Sequence, residues 1–211
     1  MVNYEKIEGD FYETQTKSFN PLRSWFHSSR HKIISKLVSK NYSEGKIVAD
    51  FGCGNCIWND FNAKVIGIDI NNDLAQQAME KKRIMKIINS DFLDTNIKNA
   101  SIDVVVCSEV LEHLQNFKEI LLEQNRVLKK NGSLIISVPY DTNLSLWKWM
   151  FKAQCFIQGQ IFGNEYYKKE CGHINHFSPQ KISQDVENAG FKIIQIFHNK
   201  YMTIFIEAKK P

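Results

Sequence analysis

The run VADFGCGN limits the folds that this chain can adopt more than any other feature of its sequence. A β-rich stretch ends at Asp50, and Gly52 and Gly54 follow almost at once. Glycine lets the backbone turn sharply and approach a ligand closely, and a short helix expected after the turn would add hydrogen-bond donors. A second β-rich run, KVIGIDI, contains Asp69 near its end, where a carboxylate can accept hydrogen bonds from both ribose hydroxyls. Together these features predict an α/β sheet with a nucleoside site; a plain strand turn and a solvated acid are the alternative.

Strand-like and helix-like segments alternate along much of the remaining chain. Apolar residues recur with helical spacing over 22–40, 71–82 and 114–128, and IMKII, IDVVVC and SLIISVP have the composition of strands. Asn131 and Gly132 are expected to end the third helix. The alternation predicts a Rossmann-like, doubly wound α/β fold with a mainly parallel sheet.

The carboxyl-terminal part modifies this plan in two places. FKIIQIF and YMTIFIEA are joined only by HNK, too short for a parallel crossover, so they predict an antiparallel edge hairpin. We expect one domain over 1–211, with a helical segment at 1–44 and a small inserted substrate cap at 141–176. Aromatic residues that would cover an apolar acceptor, or form the core of the cap itself, are Trp147, Trp149, Phe151, Phe156, Phe162, Tyr166 and Tyr167.

Charge and composition limit the kinds of partner that we expect this chain to bind. The chain has 27 Lys and Arg against 23 Asp and Glu, a net charge of +4, and it has no basic block typical of nucleic-acid binding. The first residues do not resemble a secretion signal, and no stretch is apolar enough for a transmembrane span, so a cytoplasmic protein is expected. Arg23, Arg30, Lys32 and Lys36 could attract an anionic group or contact a membrane peripherally; a solvated helix face is the alternative.

Four motifs, in order and spacing, resemble those of class I S-adenosylmethionine (SAM)-dependent methyltransferases. VADFGCGN resembles the first motif, IGIDI the ribose-binding motif, and NSDFLD and SEVLEHL the third and fourth, over 47–139. The pattern is similar to the branch with ubiquinone and menaquinone biosynthesis methyltransferases and many small-molecule methyltransferases. The resemblance implies methyl transfer from SAM to a small-molecule or lipid-like acceptor. Cys56, which replaces a third glycine, motivates the alternative of a non-catalytic binding or partner subunit.

The resemblance also implies roles for individual residues. Asp69 would bind the ribose hydroxyls, Asp91 would accept from the exocyclic amine of adenine, and the Phe92 backbone would contact the adenine ring. Ser108 and Glu109 would line the methionine end. The complete set of implied cofactor-binding residues is Asp50, Gly52, Cys53, Gly54, Asp69, Ile70, Asp91, Phe92, Ser108 and Glu109.

Three histidines are candidates for acid/base catalysis. His173 and His176 precede a helix start at Ser178 and Pro179, and in similar methyltransferases this segment lies near the substrate pocket. The resemblance places His113, in the run EVLEH, at the mouth of the active site. Structural roles are the alternative, with His113 packed beneath the cofactor and His173 serving only to hold the fold.

The sequence also contains patterns typical of a redox or zinc site, and a glycine turn like that of a dinucleotide-binding enzyme. Cys53 and Cys56 form C-x-x-C, and 171–176 contains C-x-H-x-x-H, patterns that also occur in redox and zinc sites. The clusters are far apart in sequence and the cysteines are expected to be reduced, so we predict neither a metal site nor a disulfide. Ile57 stands where a dinucleotide fingerprint needs a small residue, which disfavours a nicotinamide-dependent oxidoreductase.

Overall fold

The elements of the structure follow the alternation in the sequence. A computed structural model describes residues 11–142, 145–168 and 172–211. A 3₁₀ turn at Leu111–His113 precedes α4, and a π-helix at Phe156–Ile161 continues α5. In chain order the helices and strands are α1 (Phe11–Thr16), α2 (Pro21–Asn41), β1 (Val48–Phe51), β2 (Val65–Ile68), α3 (Asn72–Glu80), β3 (Lys86–Ile88), β4 (Ile102–Ser108), α4 (Phe117–Val127), β5 (Leu128–Pro139), α5 (Leu146–Cys155), α6 (Glu165–Lys168), α7 (Pro179–Asn188), β6 (Lys192–Asn199) and β7 (Thr203–Lys209).

The strands that the structure describes form one sheet in the order β3-β2-β1-β4-β5-β7-β6. β1 is buried at every residue and pairs in parallel with β2 on one side and β4 on the other. β3 and β5 extend the parallel part outward. Strands covered on both faces need continuous apolar runs, which IDVVVC supplies in β4. The predicted mainly parallel sheet is confirmed.

Helices cover both faces of this sheet, so the doubly wound architecture is also confirmed. On one face, α2 buries Ile34 and α3 buries Ala75 within a single apolar cluster. On the other face, α4 buries Ile120 and α7 buries Ile182 within a second cluster. The two clusters fix the sheet between helical layers and leave the carboxyl ends of its central strands free to form a site.

β6 and β7 form the predicted antiparallel hairpin. Their register runs from Ile193 opposite Ala208 to Asn199 opposite Thr203. β7 also pairs antiparallel with β5, so it lies between β5 and β6 and runs opposite to both. The connection between these strands is too short for a parallel crossover, so the strands pair antiparallel.

The connection between β1 and β2 contradicts the predicted short helix. The described residues 52–64 form turns instead. Asn59 holds this loop: its amide donates to the carbonyls of Ala63 (3.0 Å) and Arg83 (2.6 Å), and its Oδ1 accepts from the Ala63 N–H (2.9 Å). A side chain thus supplies hydrogen bonds to backbone groups in a connection that has no helix.

The boundaries of α4 also correct the prediction of a helix over 114–128. The helix spans Phe117–Val127, and His113, expected at its start, ends the separate 3₁₀ turn. Asn131, expected to end the helix, lies inside β5 with a φ of 61°. Leu128 is already paired with β4 in the sheet, so tertiary pairing ends the helix before the Asn-Gly signal is reached.

The segment 141–176, predicted as a cap, contains short helices between β5 and α7. Cys171 lies outside the described residues, as do the side chains of Trp147 and Tyr166. Over the part of the chain that the structure describes, no helix combines the length and apolarity required to cross a membrane.

Candidate functional site

A cavity of about 740 Å³ opens at the carboxyl ends of β1, β2 and β4. α1 and the first half of α2 line one side, and α5 with the π-helix lines another. The start of α2 is fixed by Asn20, whose Oδ1 accepts from the N–H of Leu22 (3.0 Å), and by Pro21 in the first turn. Ligands of doubly wound sheets bind at this edge, as the sequence predicts.

Two glycines shape the floor of the cavity. Gly52 has a φ of 78°, and a Cβ added to it would lie 2.3 Å from Val110 Cγ2. Gly54 has a φ of 44°, and its Cβ would meet the Tyr12 ring at 3.3 Å. Only residues without a side chain fit both the conformation and the space, so a ligand can approach the bare backbone of the turn.

Asp69 follows β2 and is tied to that turn. Its Oδ2 accepts from the Gly54 N–H at 2.8 Å, and its Oδ1 accepts from the Asn71 N–H at 2.8 Å. Burial raises the pKa of the carboxyl, and the backbone donors oppose that shift. Asp69 lines the cavity, where its remaining acceptor capacity is open to a polar ligand. Ile70 lines the cavity beside it.

Asp50 lies two residues before Gly52 and holds a side chain of the following loop. It is buried in β1, and its Oδ2 accepts from the Trp58 indole N–H at 2.7 Å. Burial raises the pKa of Asp50 to about 7. Cys53 and Cys56 are buried free thiols whose pKa values burial raises well above the ordinary range. Reactive and metal-binding cysteines need the thiolate, which this environment disfavours.

Phe92 and Asp91 have different environments although they are neighbours. Phe92 is buried, lines the cavity and has its ring centroid 6.1 Å from that of Phe51. Asp91 is exposed and does not line the cavity. Its predicted contact with adenine remains a prediction.

Ser108 and Glu109 lie at the end of β4, where a chain of hydrogen bonds positions the acid. The Ser108 and Ser137 hydroxyls are 2.8 Å apart, and Ser137 donates to Glu109 Oε1 at 2.8 Å. Glu109 Oε2 lies 3.4 Å from Arg30 Nη1, and both side chains are largely buried. The pair brings one negative and one positive group to the cavity wall.

His113 and His173, predicted from separate parts of the sequence, meet in the cavity. Their ring centroids are 4.9 Å apart, and the His173 ring stacks on Phe151 at 5.0 Å. His113 Nδ1 lies 3.3 Å from the Gly172 carbonyl oxygen, so a neutral ring that donates there keeps Nε2 as an acceptor. Burial lowers the pKa of His113 to about 4 and that of His173 to about 3. Both rings are therefore neutral at pH 7.

Glu112, to which the sequence analysis assigned no role of its own, lies beside these histidines. It is buried, its Oε1 lies 3.7 Å from His113 Nε2, and its Oε2 has no hydrogen-bond partner among the described residues. Potential ligand atoms of Glu112, His113 and His173 lie within 4.8 Å of one another, a donor set that zinc accepts. Burial raises the pKa of Glu112 well above its ordinary value and favours the neutral acid. The three side chains therefore form a compact group of polar atoms at the cavity wall.

His176, the third predicted histidine, is not brought into the cavity. Its Nδ1 hydrogen-bonds the Asp141 carboxylate, and its side chain is 55% exposed. Of the three predicted histidines, His113 and His173 therefore lie at the cavity and His176 does not.

Sequence reasoning missed a polar wall formed by α1 and α2. Arg30, for which a solvated face was an alternative, is 7% exposed, whereas Lys32 and Lys36 are exposed. Helical spacing of the polar residues was the available signal. Atoms that line the cavity from buried positions and have no hydrogen-bond partner in the described part of the chain are Gln15 Oε1, His27 Nδ1, Arg30 Nε and His31 Nε2.

Unpaired polar atoms at a cavity wall indicate that a polar ligand completes their hydrogen bonds. The buried carboxylate of Asp69, the glycine turn at Gly52 and the paired charges of Arg30 and Glu109 are compatible with a nucleoside that carries an amino-acid group. The fold and the site together define a nucleoside-binding protein of the Rossmann-like methyltransferase type.

The comparison with known families agrees with this class. A family model described as a methyltransferase domain matches residues 25–196. The chain belongs to this family and is a SAM-dependent methyltransferase.

Individual relatives are distant. The chain is 23% identical over 182 residues to an uncharacterized methyltransferase of Schizosaccharomyces pombe, covering 79% of this chain and 60% of that protein. It is 24% identical over 214 residues to a demethylmenaquinone methyltransferase of Staphylococcus aureus, covering 92% and 88%. Its fold resembles a SAM-dependent methyltransferase of Thermotoga maritima, described as a possible histamine N-methyltransferase, with TM-score 0.64, 20% identity and coverage of 95% and 99%. The chain thus spans less than two thirds of the S. pombe relative's length.

Proposed function

We propose that this methyltransferase acts on a small-molecule or lipid-like acceptor whose apolar body lies between α2 and the helices of 141–176. The supporting observation is that one cavity is lined both by the Gly52 turn and by apolar side chains of α2, α5 and the π-helix. A cavity with polar groups and apolar side chains suits a polar cofactor and an apolar acceptor. The residues that line the apolar region are Leu22, Phe26, Leu114, Met150, Phe151 and Ile157.

The cofactor end is proposed from the same lining. Asp69 binds the ribose hydroxyls, and Ile70 and Phe92 border the adenine. Arg30 and Glu109 face the methionine end, because an amino-acid zwitterion needs one partner of each charge. When bound, SAM supplies a methyl group already activated on a sulfonium sulfur. The protein's remaining tasks are to exclude water and align the acceptor.

His113 and His173 are proposed to orient the acceptor and receive its proton. A phenol has a pKa of about 10, so its ionisation by an imidazole with a pKa near 4 would cost about 8 kcal/mol. Proton transfer before methyl transfer is therefore unfavourable. We therefore propose that the histidines accept the proton during the transfer of the methyl group that SAM would supply when bound, and not before it.

The relatives suggest two acceptor chemistries that can be compared directly. The S. aureus relative is named for demethylmenaquinone, an apolar lipid-like quinone, and the T. maritima structure for histamine, a small polar amine. Apolar side chains such as Phe26, Met150 and Ile157 favour the first chemistry over the second.

The test is methyl transfer from methyl-labelled SAM to a reduced prenylated demethylquinone in detergent, with histamine as the parallel acceptor. We expect label in the lipid extract. Phe151→Ala should raise the acceptor KM about tenfold or more through lost apolar contact, with SAM affinity unchanged. Phe197→Ala, a change on β6 outside the cavity lining, is the control. Transfer to histamine alone would refute the lipid-like acceptor. SAM binding without transfer to either would refute it too and favour the non-catalytic alternative.

A further inference from the structure

The helix formed by α5 and the π-helix has two faces of different character. Met150, Phe151, Gln154, Ile157 and Gln158 line the cavity, and their spacing of one, three and four residues defines a single inner face. The opposite face therefore points away from the cavity. No function described so far accounts for its composition.

Part of this outer face is apolar and exposed, whereas Cys155 and Gly159 of the same helix are buried and Gly159 packs against Lys168. Trp149 and Phe156, with Ile161 and Phe162 at the end of the helix, are each between 60% and 71% exposed. Trp149, Lys152 and Phe156 follow one another at three and four residues, which places them along one stripe. Large apolar side chains grouped in this way mark an interaction surface.

Lys152 is the exposed charged residue on this face, whereas Lys148 pairs with Asp141 at 3.4 Å. The sequence from 142 to 164 contains Lys148 and Lys152 and neither Asp nor Glu. Lys152 is exposed within the stripe itself. A helix that combines Trp and Phe with lysines and lacks acids has the composition of one that lies in the interface of an anionic bilayer, with its aromatic rings at headgroup level.

The cavity reaches this surface. Ile157 lines the cavity and is 44% exposed, and Leu22, across the cavity on α2, lines it and is 46% exposed. Arg23 Nη2 and Gln154 Nε2 both lie 3.2 Å from the Tyr167 hydroxyl, which joins α2 to the helices of 141–176. The edge of the cavity therefore has an exposed apolar side chain on each wall, Leu22 and Ile157, beside a polar bridge through Tyr167. Ile157 directly follows Phe156, which lies on the outer face.

We propose that the outer face of α5 and the π-helix docks this protein on an anionic lipid bilayer, with Trp149, Phe156, Ile161 and Phe162 inserted at headgroup level and Lys152 against lipid phosphates. Docking would place the edge of the cavity at the membrane surface, where a lipid-like molecule can enter without crossing water. The docking itself does not depend on the identity of the methyl acceptor.

The test is co-sedimentation of the full chain with vesicles of phosphatidylglycerol and phosphatidylcholine, and with phosphatidylcholine alone, without SAM or acceptor. We expect binding to the anionic vesicles that weakens with added salt. Phe156→Ser with Ile161→Ser should weaken binding about tenfold or more. Leu122→Ser with Met85→Ser, which changes two residues 55% and 53% exposed elsewhere, should not.

A second pair of variants separates charge from apolar contact. Lys152→Glu should weaken binding to anionic vesicles, whereas Lys130→Glu, at an exposed position in β5, changes the net charge equally and should have less effect. The proposal is overturned if the protein does not sediment with anionic vesicles, or if both members of either pair behave alike. It is also overturned if Phe156→Ser with Ile161→Ser converts a dimer to a monomer in solution, since a second copy would then cover the face. Because the assay contains no acceptor, its failure is independent of any failure of the proposed methyl transfer.

Discussion

Replacement of Asp69 by alanine should remove most of the affinity for SAM. The wild-type carboxylate accepts from the Gly54 and Asn71 N–H groups at 2.8 Å and lines the cavity, where two ribose hydroxyls are proposed to donate to it. A hydrogen bond to a charged group contributes about 1.5–3 kcal/mol, so two ribose hydroxyls together account for at least about 3 kcal/mol. Each 1.4 kcal/mol is a factor of ten, and the dissociation constant should therefore rise by about 100-fold or more.

Calorimetric titration with SAM and with its demethylated product measures this loss. Asp73→Ala is the matched control, because Asp73 is an exposed acid in the first turn of α3 and does not line the cavity. Asp69 also holds the Gly54 amide, so urea denaturation without ligand should show a separate loss of about 1–3 kcal/mol. An Asp69→Ala protein that binds SAM within about threefold of wild type would refute the assignment of Asp69 to the ribose.

Two further perturbations test the turn and the polar wall. Gly52→Ala should lower the free energy of unfolding by about 2–5 kcal/mol, because it adds left-handed strain and a clash with Val110. The control is Gly45→Ala: Gly45 has a φ of 90° and nothing within 4 Å of an added Cβ, so this change adds strain alone. Equal losses in urea denaturation would contradict the clash. Burial lowers the pKa of His27 from 6.5 to about 3, so the unfolded chain binds its proton first and stability is lost as pH falls below 6.5. His27→Gln should therefore reduce the loss of stability between pH 7 and pH 5 by about 2 kcal/mol, and an unchanged pH dependence would contradict the burial argument.

Local signals were sufficient where neighbours in sequence decide the conformation. Buried runs such as IDVVVC must be central strands, and a three-residue connection forces β6 and β7 into a hairpin. Gly52 and Gly54 predicted the turn because its left-handed backbone favours glycine. The position of Asp69 near the end of the next strand predicted that its side chain lies at the same edge of the sheet as this turn. The sheet, the hairpin and the cofactor end of the cavity were predictable for this reason.

Local signals failed where a distant contact decided the conformation. Asn59 replaced the expected helix with a loop by bonding to Arg83, and pairing of Leu128 in the sheet ended α4 before its Asn-Gly signal. In both cases, hydrogen bonds to other parts of the chain outweighed helix propensity.

The sequence by itself therefore determined the doubly wound sheet, its glycine turn and the acid that follows β2, because each depends on residues close together in the chain. Only the tertiary structure turned Arg30 and His27 into the cavity, joined His113 to His173, and left the outer face of α5 exposed. A helix periodicity shows that two faces exist, but which face is buried depends on what the rest of the chain packs against it.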